Sequence, residues 1–222
     1  MNWMLQHAWI IPLLPLAGAA VVAALGPRWL RGRSHWPVIL GVCLALVGSV
    51  LLLLEVRQLD REQFEHVYRL YDWISTGSGS WFAVSLRIDP LTAIMLVTVT
   101  AVSSLVVIYS AGYMRDHEGR PHRGYARFFG CMGLFVFSMC TLVLAGNFLL
   151  LYFGWEAVGL CSYLLIGFYY DRPAARSAAV KAFVVNRIGD FGFGLGVLLI
   201  YLNFGSLDYS YVFQHAWQLS AG

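Results

Sequence analysis

The sequence predicts an all-α polytopic membrane protein with six transmembrane helices, and three observations lead there. Of 222 residues, 59% are hydrophobic and 12% charged, whereas a soluble domain carries about 45–50% and about 25%. Six segments reach the roughly 20 mainly apolar residues that a bilayer crossing needs: 8–26, 36–54, 90–114, 128–146, 147–170 and 177–204. The first five hold one charge between them, Glu156. The remaining arginines favour alternate connections, as the positive-inside bias of membrane proteins requires.

Taken in order, the elements explain themselves. The N-terminal stretch has no basic region and no small-residue cleavage site, so it reads as a retained first helix and not as a signal peptide. Pro12 and Pro15 predict a bend in it, which neighbouring helices can absorb. Pro37 lies in the first turn of the second span. The connection 55–89 is the one sizeable segment outside the apolar runs. Over 81–88 it alternates Phe82, Val84, Leu86 and Ile88 with Trp81, Ala83, Ser85 and Arg87, which is strand periodicity. Thr76 to Ser80, rich in glycine and serine, supplies a turn, so a β-hairpin over 67–88 is expected. A short amphipathic helix over 64–74 is the other possibility. Asp89 followed by Pro90 is a helix N-cap with proline at the first helical position. Asn147 can cap the fifth helix, and Pro173 precedes the sixth. Residues 205–222 hold no further span.

Charge sets an orientation. Arg28, Arg31, Arg33, Arg115, Arg120, Arg123, Arg127, Arg172 and Arg176 fall on one side, against Arg57, Arg61, Arg69 and Arg87 on the other. Nine against four places the N-terminus outside. The expected organisation is helices one and two in 1–54, an extracytoplasmic loop in 55–89, helices three to six in 90–204, and an outer loop in 205–222. A formal charge of +3 gives no reason to expect a nucleic-acid partner.

The four cysteines, Cys43, Cys131, Cys140 and Cys161, lie in apolar runs without ligand spacing, so no metal site or disulfide framework is expected. His7, His35, His66, His117, His122 and His215 sit near or beyond helix ends and read as solvated. No intramembrane histidine pair suggests haem. Asp190-Phe191-Gly192 resembles a kinase magnesium motif, but it lies in an apolar span without a glycine-rich loop.

The chemistry is in the buried charges. Glu156 is about ten residues into the fifth span, near the midplane at 1.5 Å per residue. Arg187 reaches a similar depth from the other side, and Asp190 lies three residues on, along the same helical face. A charge at the centre of a membrane helix costs roughly 2.5–3.5 kcal/mol, so such residues pair or face a hydrated interior. Mutual neutralisation that pins packing is the plain reading of Arg187 with Asp190. Glu156 has no partner in its own helix. Desolvation and a nearby cation act on a carboxyl group in opposite directions, so a movable cation could load and unload its proton. Lys181, one turn into the sixth span, either snorkels to the interface or serves as a relay group on the entry side. Gly189, Gly192 and Gly196 form a small-residue face suited to close helix contact.

Several motifs share one resemblance. Gly154-Trp155-Glu156-Ala157-Val158-Gly159-Leu160-Cys161-Ser162-Tyr163, followed by Lys181-Ala182-Phe183-Val184-Val185-Asn186-Arg187-Ile188-Gly189-Asp190, resembles the largest antiporter-like subunit of respiratory complex I. That family is subunit L of bacterial NADH-quinone oxidoreductase, chain 5 in mitochondria. The run from Asp89 to Leu96, the run from Ile108 to Met114, and Tyr125-Ala126-Arg127-Phe128-Phe129 match it too. The resemblance implies a membrane subunit that couples quinone reduction to proton translocation through Glu156, Arg187, Asp190 and Lys181. It implies no cofactor in this chain, with flavin and iron–sulfur clusters in other subunits. It implies partnership with other membrane subunits, chiefly a neighbouring antiporter-like one, in a bacterial inner membrane more readily than a mitochondrial one. Family members pair the glutamate with a lysine on a seventh helix, expected here beyond Gly222, in further chain or in a separate one. A subunit of a multisubunit sodium/proton antiporter and an inactive truncated scaffold are the competing readings.

Overall fold

The computed structural model describes residues 3–59, 66–76, 79–115 and 118–217. Arg61, His117 and the centre of the expected turn, Gly77 and Ser78, fall outside them, as do the side chains of Arg28, Arg31, Trp81 and Phe82. The helices are α1 (Trp3–Gln6), α2 (Ile10–Leu25), α3 (His35–Val56), α4 (Pro90–Tyr113), α5 (Tyr125–Val143), α6 (Phe148–Ile166), α7 (Pro173–Phe204) and α8 (Tyr209–His215). Strands β1 (His66–Thr76) and β2 (Gly79–Ile88) stand between α3 and α4. Five helices among the described residues, α3 to α7, are long and apolar enough to cross a membrane.

The first expected span is shorter than its apolar run. α2 has 16 residues, about 24 Å at 1.5 Å per residue. It starts where Pro12 falls in the first turn, since the N–H that proline lacks would there have no intrahelical partner. Before it the chain turns at His7, and α1 folds back on α3. The N–H groups of Met4 and Leu5 donate to Glu55 Oε1 and Oε2 at 3.2 and 3.0 Å. Glu55, at the foot of the predicted loop, is therefore a last-turn residue of α3 that receives the unpaired amides of another helix.

Small residues set the helix spacing. A Cβ on Gly41 would lie 2.5 Å from the Leu14 carbonyl oxygen, and one on Gly154 would lie 2.8 Å from Leu142 Cα. These contacts bring α3 onto α2 and α6 onto α5 at backbone distance, as in membrane packing generally. The contact expected of the glycine face on the sixth helix is not made. Cβ atoms on Gly189, Gly192 and Gly196 would meet nothing within 4 Å among the described residues. α7 packs through its other face, where Ala179, Asp190 and Val197 are buried, while Ile188, Phe191 and Leu202 stand exposed.

The loop between α3 and α4 is an antiparallel hairpin, and 66–76 is strand, not helix. Leu86 and Ile88 are buried, as their alternation predicts. Ser85, on the opposite face, is buried as well, because the turn from α5 to α6 runs along β2. Arg87 N–H donates to the Leu144 carbonyl and Gly146 N–H to the Ser85 carbonyl, both at 2.9 Å. On the same side of the molecule Arg87 lies over the Tyr209 and Phe213 rings, at 5.8 and 5.9 Å. Burial pushes the Tyr209 phenol up to about 12, so that ring meets the guanidinium as a neutral face.

His35 corrects the reading of the histidines as solvated. It is buried at the start of α3, with Nδ1 3.0 Å from the Tyr125 hydroxyl and the Phe129 ring beside it. The start of α5 covers this helix end, which sequence position alone does not reveal.

Candidate functional site

Two helix starts place the charged residues. Asn147 caps α6, its Oδ1 accepting the Leu150 N–H at 2.7 Å. Its Nδ2 donates to the Ala83 carbonyl at 2.6 Å and to Ser85 Oγ at 3.0 Å. One side chain thus ties the start of α6 to the hairpin, and Glu156 follows about 12–14 Å along the helix axis. α7 begins with Pro173 at its first position and runs for 32 residues. At about 48 Å it exceeds a hydrocarbon core of about 30 Å, and Arg187 lies near its middle.

Where α6 and α7 meet, four residues close a ring of polar contacts. Arg187 Nη1 forms an ion pair with Glu156 Oε2. Arg187 Nη2 lies 3.1 Å from Asp190 Oδ2. Asp190 Oδ1 accepts the indole N–H of Trp155 at 2.8 Å, and Trp155 is the neighbour of Glu156 in the chain. Asp190 has 5% of its side chain exposed, against 23% for Glu156 and 35% for Arg187. Asp190 is therefore the enclosed member and Glu156 the more accessible carboxylate. The Arg187 guanidinium also lies 5.0 Å from the Phe183 ring centre. Its Nε is buried without a partner among the described residues.

The structure thus brings together three of the four residues singled out in the sequence. Lys181 stands apart: it is exposed and takes no part in the ion pairs of the described residues. Six residues before Arg187, it points about 120° away around the helix. Two further residues belong to the site. Trp155 was visible only as part of a motif, and its bond to Asp190 depends on how α6 and α7 cross. Tyr152, one turn before Glu156, sets its ring against Phe193, with 5.5 Å between ring centres. A cleft of about 440 Å³ opens beside the ring, lined in part by Trp155, Asn186, Asp190 and Phe193. No group of three or more His, Cys, Asp or Glu side chains among the described residues is arranged to hold a metal ion.

One arginine shared between two acids, one nearly enclosed and one more accessible, is an arrangement in which the position of the cation would govern the proton affinity of the accessible acid. Comparison with known proteins gives it a context. Residues 73–129 match the family model of the NADH-ubiquinone oxidoreductase (complex I) chain 5 N-terminus. Residues 145–221 match that of the NADH:quinone oxidoreductase/Mrp antiporter transmembrane region. NADH-quinone oxidoreductase subunit L of Neisseria meningitidis is 46% identical over 93% of this chain and 30% of its own length. The subunit L of Rhodobacter capsulatus is 43% identical over 95% of this chain and 29% of its own. A solved Mrp complex from Dietzia aligns over 91% of this chain and 20% of its own, with 25% identity and a TM-score of 0.66. The chain spans about three-tenths of the length of the relatives it matches. On these grounds the chain belongs to the antiporter-like membrane subunits of complex I, the subunit L or chain 5 family.

Proposed function

We propose that this chain forms part of the proton-translocating membrane subunit of an NADH:quinone oxidoreductase, with Glu156 carrying the proton. In this reading Arg187 is the movable counter-charge. When it leans on Glu156 the carboxylate is held ionised, and when it withdraws towards Asp190 the carboxyl group takes up a proton. The observation that carries the reading is the shared guanidinium, an ion pair to Glu156 on one hand and to Asp190 on the other. Asp190, nearly enclosed, keeps Arg187 partnered in both positions, so no position leaves a buried cation alone. Lys181, exposed nearer the start of α7, serves as an entry-side group.

The chain needs no redox group for this role, and electrons pass through flavin and iron–sulfur clusters in other subunits. Its partners are other membrane subunits, chiefly a neighbouring antiporter-like one, in a bacterial inner membrane with the N-terminus outside. The arginine bias supports that orientation. The test is Glu156→Gln in the complete complex, in inverted membrane vesicles. Proton uptake per NADH oxidised is expected to fall severalfold. An unchanged proton-to-electron ratio would remove Glu156 from the path.

A sodium/proton antiporter role is the second reading, prompted by the likeness to the Mrp complex. The subunit L relatives stand at 46% and 43% identity against 25% for that structure, which favours the redox-coupled role. Proton uptake that requires a sodium gradient and proceeds without NADH would reverse the preference.

A further inference from the structure

We infer that Trp155 is a positioning residue, whose indole N–H holds Asp190 so that Arg187 stays on Glu156. The inference rests on the proton-carrying role proposed for Glu156 and goes on to name what sets its counter-charge.

Arginine binds a carboxylate best through two parallel N–H bonds. Here Arg187 does not do so: Nη1 goes to Glu156 and Nη2 to Asp190. Its buried Nε is unused among the described residues, so a third donor is free to complete a two-bond grip on one carboxylate. Asp190 is close, enclosed and on the same helix, and it would be the natural recipient. Instead its second oxygen, Oδ1, accepts the indole N–H of Trp155 at 2.8 Å. That bond fixes the carboxylate plane and disperses part of its charge, and both effects weaken the pull of Asp190 on the cation.

The indole is not held by burial. It is 52% exposed, and its edge-to-face contact with Phe193, 5.8 Å between ring centres, orients it towards Asp190. Phe193 is braced in turn by Tyr152 at 5.5 Å. The other charged or titratable groups around Glu156 do not compete for Arg187. Tyr152 is on its own helix. α5 contributes the thiols Cys131 and Cys140, the Tyr125 phenol, and Arg127, which donates to the Phe168 carbonyl at 3.0 Å. β2 contributes Arg87, 3.5 Å from Asp89. The division of Arg187 between its two acids is therefore set within the ring of four.

The experiment measures the Glu156–Arg187 coupling directly, without reference to activity. A double-mutant cycle of Glu156→Gln and Arg187→Gln, read as unfolding midpoints of this chain in detergent, gives the coupling. The same cycle is then run on Trp155→Phe, which keeps the ring and removes the donor, and on Trp155→Gln, which restores a donor without the ring. The coupling is expected to fall by at least half with Phe and to return with Gln. Equal coupling in all three backgrounds, or equal loss with Phe and Gln, would overturn the inference and leave Trp155 a packing residue. Proton uptake by the Glu156→Gln complex separates this from the parent reading. If the coupling falls with Phe while Glu156→Gln leaves uptake unchanged, the positioning stands and Glu156 is no carrier. If Glu156→Gln stops uptake while the coupling never changes, the carrier stands and the positioning fails.

Discussion

Single side chains in this protein serve two elements at once, and Asn147 is the clearest case. It caps α6 through Oδ1 and holds β2 through Nδ2. Loss of a cap costs about 1 kcal/mol, and each further hydrogen bond roughly 0.5–1.5 kcal/mol. Asn147→Ala is therefore expected to destabilise the chain by about 2–4 kcal/mol, seen as an earlier unfolding transition in denaturant, while Asn147→Asp retains the cap alone and falls between. The cap was legible in the sequence, because an asparagine before an apolar run is a local signal. So was the pairing of Arg187 with Asp190, which needs only helical spacing. The bonds from Asn147 to the hairpin and from Trp155 to Asp190 were not legible. Both join residues far apart in the chain, and neither leaves a periodic trace.

At the scale of elements, two sets of glycines look alike in sequence and differ in space. Gly41 sits where the α2 backbone passes, with no room for a Cβ, whereas Gly192 faces open space. Gly41→Val is expected to cost about 1–3 kcal/mol through overpacking and to lower the yield of folded chain in detergent. Gly192→Ala is expected to leave that yield unchanged, and a matching loss in both variants would contradict the distinction. Apolar length located the helices within a few residues, since burial in lipid is a property of each segment alone. It overestimated α2, because Pro12 and the turn at His7 settle where that helix begins. Strand alternation found β2, but could not show that Ser85 would be covered by the α5–α6 turn.

For the molecule as a whole, the proposed orientation puts the hairpin on one side of the membrane and the arginine-rich turn before α5 on the other. Replacing Gln58 and Glu118 one at a time by cysteine tests this, since both positions are exposed and the native thiols lie in apolar helices. Gln58→Cys in intact cells is expected to react with a membrane-impermeant maleimide, and Glu118→Cys only after permeabilisation. The reverse pattern would invert the topology. The turn at 144–147 gives this arrangement a mechanical side. Its backbone and its asparagine are both bound to β2, and α6 starts from it without a flexible residue between. The hairpin and the helix that carries Glu156 must move as one lever, so a distance label on the hairpin would report displacement at the depth of the ion pair without touching it.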